Sequence, residues 1–231
     1  MSAPAKTFCT MLQVTAFTFN PFGVQTYVLH DSATLEAAVI DPGCCSAAEW
    51  QALRTYVAEG GLSVRHVLLT HCHLDHVAGS GLCVREYGVG LAGPLDDQLA
   101  LPTVREQAFL FGLDEAFAAL PEPPAAIVRP LAHGDSLTLG AHRIDVIDVP
   151  GHSPHGLCYY AASEGVLFAG DVLFCGSIGR TDFGARFGCS HRALVEGIAQ
   201  RLLTLPPDVR VLPGHGPQTT IGREAASNPY L

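Results

Sequence analysis

Apolar residues in this chain group into two kinds of run. LQVTAFTF (12–19), VQTYVLH (24–30) and EAAVID (36–41) are short, rich in β-branched and aromatic residues, and set off by turn-forming stretches such as NPFG and DPG, which predicts three strands. SAAEWQALRTYVAEGG (46–61) carries helix signals instead: Ser46 can cap it, Glu49 three residues on suits a capping box, and Gly60 with Gly61 stops it. VRHVLLT (64–70) predicts a strand and VAGSGLCVREYG (77–88) a helix. LDDQLALPTVREQAFLFGLDEAFAAL (95–120) predicts a helical stretch broken by Pro102 and ended by Pro121 to Pro124. Strands follow at 126–130, 136–140, 142–149, 157–162 and 165–170, then a helix at 191–205 and a last strand, VRVLPG (209–214). No repeat or linker interrupts the series. Two sets of strands, each followed by helix, predict an α/β fold with two sheets packed face to face and helices on the outer faces. VLL and GVLFAG are nearly all apolar, as strands covered on both faces require.

Composition narrows the class. The chain has 231 residues, 48% hydrophobic and 15% charged, enough for one large domain over 1–231 with a helical insertion at about 94–125. No run reaches the roughly 18 apolar residues of a membrane helix, and MSAPAKTFCT lacks the apolar stretch of a secretory signal. Eight cysteines without a CxxC pair fit reduced thiols, so a soluble, cytoplasmic protein without a membrane partner is expected. A formal net charge of −9 and no basic patch argue against nucleic acid.

The candidate chemistry sits behind the predicted strands. VRHVLLT runs into His71, RIDVIDVPG into His152, GVLFAG into Asp171 and VRVLPG into His215. Ligand sites in open α/β sheets gather beyond the carboxyl ends of strands, so the four termini would converge if those strands are neighbours. THCHLDH adds His73, Asp75 and His76. In an extended segment positions i and i+2 point the same way, so His71 and His73 can clasp one ion while the following turn redirects Asp75 and His76. Five histidines and two aspartates exceed the four donors of one tetrahedral zinc, and two cations sharing a carboxylate would use them. A single histidine at a strand end is more often an ordinary hydrogen-bonded loop residue; three within six positions are not.

THCHLDH, GHSP, GD, GRTDF and PGHG, in that order, resemble the metallo-β-lactamase fold, and specifically its glyoxalase-II-like (hydroxyacylglutathione hydrolase-like) branch in its short, single-domain bacterial form. The resemblance implies an αββα sandwich of two mixed β-sheets with a two-metal site at one edge. His71, His73 and His152 would hold one ion, Asp75, His76 and His215 the other, and Asp171 would bridge them. The ions would be zinc first, with iron or manganese as alternatives. Asp41, in VIDPG, would orient ligands. Arg180 and Asp182 of GRTDF would pair to hold their loop or reach the substrate, with the pair favoured. The implied reaction is hydrolysis of a small acyl thioester of the S-lactoylglutathione type by metal-bridging hydroxide, with Asp75 orienting the attacking water and taking its proton. Three alternatives stand beside it: a mononuclear iron persulfide dioxygenase using His71, His152 and Asp171, another hydrolase such as a lactonase, and a non-enzymatic binding module.

The chain departs from the branch in two places. No separate C-terminal helical domain to supply a glutathione pocket is expected, and in GHSPHG the usual order of Gly156 and His155 is exchanged. The Phe/Leu-rich 95–120 stretch is a candidate lid or homodimer contact. Cys72 and Cys175 are expected to be bystanders, and His133, His155 and His191 ordinary polar residues.

Overall fold

The computed structural model describes residues 11–118 and 124–231. The N-terminal decapeptide with Cys9 and the end of the 95–120 stretch with Pro121 lie outside the described residues. The first sheet takes β1 (Leu12–Phe19), β2 (Val24–Asp31), β3 (Glu36–Ile40), β4 (Ser63–Leu68), β5 (Leu91–Gly93) and β6 (Ile127–Pro130) in sequence order. Its β1–β2 and β2–β3 pairs are antiparallel; β3–β4, β4–β5 and β5–β6 are parallel. The second sheet comprises β7 (Ser136–Leu139), β8 (His142–Asp148), β9 (Leu157–Ala161) and β10 (Val166–Gly170), then β13 (Arg210–Pro213) and β14 (Thr219–Thr220), in the order β14-β13-β10-β9-β8-β7. A small hairpin, β11 (Leu173–Phe174) with β12 (Ser177–Ile178), stands between β10 and β13 in the chain.

Alternation along the strands builds four layers. Tyr27, Leu29, Ala38, Ile40 and Leu68 of the first sheet meet Ile144, Tyr159, Val166 and Phe168 of the second in a core between the sheets. Their strand neighbours Val28, Ala37 and Val39 face outward onto Leu53 and Val57 of α1 (Ala47–Glu59) and Leu82 of α3 (Ser80–Tyr87). On the far side Leu167, Ala169 and Val211 pack against Leu194 of α7 (His191–Gly197) and Ile221 of α8 (Ile221–Ser227). This is the αββα sandwich of two mixed sheets that the sequence predicts.

The helices differ from expectation where local chemistry interrupts them. Ser46 and Glu49 form the predicted capping box of α1. A one-turn helix, α2 (Leu74–Val77), precedes α3, and between them Gly79 leaves room for Cys44 Sγ, which a Cβ there would strike. The 95–120 stretch is three short helices, α4 (Leu95–Ala100), α5 (Val104–Leu110) and α6 (Asp114–Ala118). Pro102 ends the first, a Thr103–Glu106 capping box starts the second, and Gly112 at φ +66° turns the chain before the third. The predicted 191–205 helix holds α-geometry only to Gly197, after which Leu203 N–H donates to Ile198 O across a wider turn. Among the described residues no helix is long and apolar enough to cross a membrane, and the seven described cysteines are free.

Candidate metal centre

Four strand ends deliver the site. The chain leaves β4 through Thr70 to His71, leaves β8 four residues before His152, passes directly from β10 to Asp171, and reaches His215 two residues after β13. His73 is the N-terminal cap of α2, and that helical turn swings Asp75 and His76 away from His71 and His73. The two sheets are tied together at this edge: Tyr27 Oη donates to Pro213 O at 2.7 Å, Tyr159 Oη to Leu69 O at 2.6 Å, and Leu157 N–H to Thr70 O at 2.8 Å.

The seven predicted donors meet. His73 Nδ1 lies 3.0 Å from His71 Nε2 and 2.8 Å from His152 Nε2. Asp75 Oδ2 lies 3.1 Å from His215 Nε2 and 3.5 Å from His76 Nε2. Asp171 stands between these sets, its Oδ1 3.4 Å from His76 Nε2 and its Oδ2 3.5 Å from both His152 Nε2 and His215 Nε2. Candidate ligand atoms lie within 4.8 Å of one another in three groups: His71, His73 and His152; Asp75, His76 and His215; and His71, His76 and Asp171. Gly214 allows this approach, since a Cβ there would strike Asp171 Oδ1.

The outward nitrogens fix how the rings present themselves. His152 Nδ1–H donates to Arg180 O at 2.7 Å and His215 Nδ1–H to Phe22 O at 3.2 Å. Asp41 organises two more rings. Its Oδ2 accepts from His76 Nδ1 at 2.9 Å and from Thr70 Oγ1 at 2.7 Å, and Thr70 Oγ1 in turn accepts from His71 Nδ1 at 3.0 Å. With a proton held on each of these Nδ1 atoms, each Nε2 offers a lone pair to the centre.

Electrostatics favours a cation there. Burial, and then the neighbouring imidazoles, pushes His71 well below the usual histidine range and His73 down to about 3. Burial also lowers His152. Burial works against a charge on His76 and His215, yet Asp75 and Asp171 hold both above the ordinary value, with Asp41 adding to His76. Asp75 and Asp171 are buried, which opposes ionisation, but His76 holds both below the carboxylate range. His76 Nε2 and Asp171 Oδ1 are buried without a hydrogen bond. Buried polar atoms without a hydrogen bond need a partner, and a divalent cation is one that would take the place of the protons favoured on His76 and His215, leaving imidazoles and two carboxylates as a donor set that suits it.

The remaining predicted residues lie around the cluster. Arg180 and Asp182 pair with each other through two 2.7 Å hydrogen bonds at the exposed rim. Burial, then Asp97 and Asp41, pushes the Cys72 thiol up, which leaves it no thiolate to offer. A cavity of about 300 Å³ opens over the donors, walled by Phe22, Phe111, Phe174, Ser177, Ile178 and Phe183. Of these, Phe111 belongs to the Phe/Leu-rich 95–120 stretch expected as a lid or dimer contact, and Phe183 ends GRTDF. Phe183 packs 5.3 Å from the His73 ring, and its signal was adjacent to Asp182 in GRTDF. Asn20, whose amide donates to Asp75 O at 2.9 Å, had no signal beyond its turn.

The metallo-beta-lactamase superfamily model matches residues 20–215. The chain belongs to that superfamily. Hydroxyacylglutathione hydrolase GloC of Haemophilus influenzae is 36% identical over 196 residues, covering 84% of this chain and 87% of that one. Among solved structures, TTHA1623 in a di-iron-bound form is 35% identical with a TM-score of 0.77, covering 94% of this chain and 100% of that one. BLEG-1 B3 metallo-beta-lactamase is 31% identical with a TM-score of 0.78, covering 95% and 99%. The superfamily is one of metallo-hydrolases that bind divalent metals, and the three donor groups of this chain could each hold one.

Proposed function

We propose that the protein is a dinuclear metal hydrolase that cleaves a small acyl thioester of the hydroxyacylglutathione type. The observation that carries this is the position of Asp171, whose two oxygens face both donor sets. His71, His73 and His152 would hold one cation, Asp75, His76 and His215 the other, and Asp171 would touch both. Zinc is the first candidate, with iron or manganese as alternatives. Bound cations would supply Lewis acidity and a water whose pKa falls from about 15.7 towards 7.

The side chains of the chain itself do the rest. The Nδ1 hydrogen bonds keep the imidazoles of His71, His76, His152 and His215 aimed inward, so the donors are organised before any substrate arrives. Asp75 Oδ2, ionised and anchored by His215, orients the attacking water and receives its proton. Arg180 and Asp182 hold the rim. Beyond the donors, the described residues lining the cavity include no lysine, tyrosine or further histidine that could protonate an amine leaving group. A thiolate departs without that help, which supports a thioester, as does the name of the GloC relative.

A mononuclear iron dioxygenase acting on persulfides would need only His71, His152 and Asp171; the gathering of Asp75, His76 and His215 into a second set favours hydrolysis. Protein loaded separately with zinc, iron and manganese should release thiol from S-lactoylglutathione or smaller acyl thiols without consuming oxygen. Persulfide-dependent oxygen uptake with no thiol release would overturn the proposal.

A further inference from the structure

The cavity over the donors does not end at its aromatic wall. A second cavity, of about 200 Å³, shares His73, Phe111 and Phe183 with it. That cavity in turn shares Leu101, Pro102, Leu110 and Phe187 with an open surface groove of about 740 Å³. The three adjoin in a row that marks a passage from the donor cluster, between α5 and the 183–187 loop, to solvent, with the Phe111 and Phe183 rings standing where the first two meet.

The local sequence builds both walls. Pro102 ends α4 and Thr103 restarts the chain as α5, which carries Leu110 and Phe111 to the passage although they are 61% and 40% exposed. On the opposite side Gly184, at φ +103°, turns the chain between Phe183 and Phe187. The rings of Phe111 and Phe183 meet edge to face at 5.8 Å.

The chemistry of the middle section is apolar, with no charged side chain in its lining. Gln107 is its one amide, and that amide is committed to backbone: Oε1 accepts from Leu74 N–H at 3.0 Å, while Nε2 donates to Cys72 O at 3.1 Å and Pro102 O at 2.7 Å. His73 turns its Nδ1 to the donor cluster. Beyond His73 the lining side chains offer an entering polar or charged group no free partner, whereas methylenes would leave water at no such cost. Charged side chains return at the outer groove, where Arg105, Glu106 and Asp114 line the opening.

We propose that this passage is a substrate subsite for an unbranched apolar chain, so that the preferred thioester places its carbonyl at the donor cluster and threads its chain past Phe111 and Phe183. The reaction part of this proposal rests on the hydrolase reading given above; the chain-binding part rests on the passage.

Two series of thioesters test it with the metal-loaded protein. One lengthens the acyl group from acetyl to decanoyl on N-acetylcysteamine; the other lengthens an alkyl thiol while the acyl group stays acetyl. In one series kcat/KM should rise about two- to fourfold per methylene, as burial of CH2 groups at roughly 0.8 kcal/mol each implies, and level off as the chain reaches the open groove. The series that rises tells whether the acyl or the thiol side occupies the passage. Leu110→Trp should lower the ratio of longest to shortest substrate at least tenfold. Flat kcat/KM in both series overturns the subsite and leaves the hydrolase reading intact. Calorimetry with acetate through decanoate separates the two further: affinity that rises with chain length in a protein that turns over no thioester supports the subsite and overturns the reaction, whereas length-independent affinity overturns the subsite.

Discussion

Asp41 shows how much of the site depends on residues that would bind no cation. It is buried in the left-handed region at φ +49°, a conformation that is costly for a non-glycine residue. Its carboxylate holds it there, accepting from Thr70 N–H at 2.7 Å, from Thr70 Oγ1 and from His76 Nδ1. VIDPG suggested a residue that orients ligands, but Thr70 was invisible as a partner because its role exists only once β3 and β4 lie side by side. The donors themselves were legible because HxHxDH confines four of them to six positions. Asp171, placed between both sets, carries the sharpest prediction about a single side chain. Asp171→Ala should lower metal content at both positions, read by elemental analysis; unchanged stoichiometry would contradict the bridge. Asp97, fully buried, gives a pH prediction. Burial, only partly offset by hydrogen bonds from Ser153 and His155, raises its pKa from 3.8 to about 7. Between those values the native state binds one more proton than the unfolded chain, so this contribution to stability is greatest below 3.8 and is lost as pH rises to 7. Asp97→Asn should therefore raise Tm over the parent at pH 8, with the gap closing towards pH 4. A gap independent of pH would count against it.

The elements that the sequence concealed are those stabilised by polar contacts. α8, β14 and the β11–β12 hairpin have little apolar periodicity, yet they fix one wall of the cavity. Glu224 of α8 is 1% exposed and accepts from Gly176 N–H, Asn228 Nδ2 and Thr219 Oγ1, while Asn228 Nδ2 also donates to Ser177 O. These bonds clamp the hairpin that presents Phe174, Ser177 and Ile178 to the site. Glu224→Ala strands buried donors and should lower unfolding free energy by about 1–3 kcal/mol, measured by urea titration. A loss below a few tenths would mean that the clamp contributes nothing. Long apolar strands were read almost to the residue, whereas β5, with three residues, offered too short a run to detect. The 95–120 stretch was recognised as helical and broken at Pro102; its second break came from Gly112, whose positive φ the spacing alone did not require.

Across the whole molecule, the site exists because two sheets meet at one edge. β4 and α2 deliver four donors from the first half of the chain, and β8, β10 and β13 deliver three from the second. That two sheets face each other followed from the apolar character of their strands. That β10 lies between β9 and β13 did not, because a parallel pairing across a helical crossover leaves no local trace in the residues it joins. Convergence of the four strand ends was therefore conditional until the strand order was known. The two-metal centre is tested most directly by its stoichiometry. Metal-free protein titrated with zinc, followed by metal content and thiol release together, should bind two equivalents per chain and become active as the second site fills. Full activity with one equivalent, or none, would contradict it.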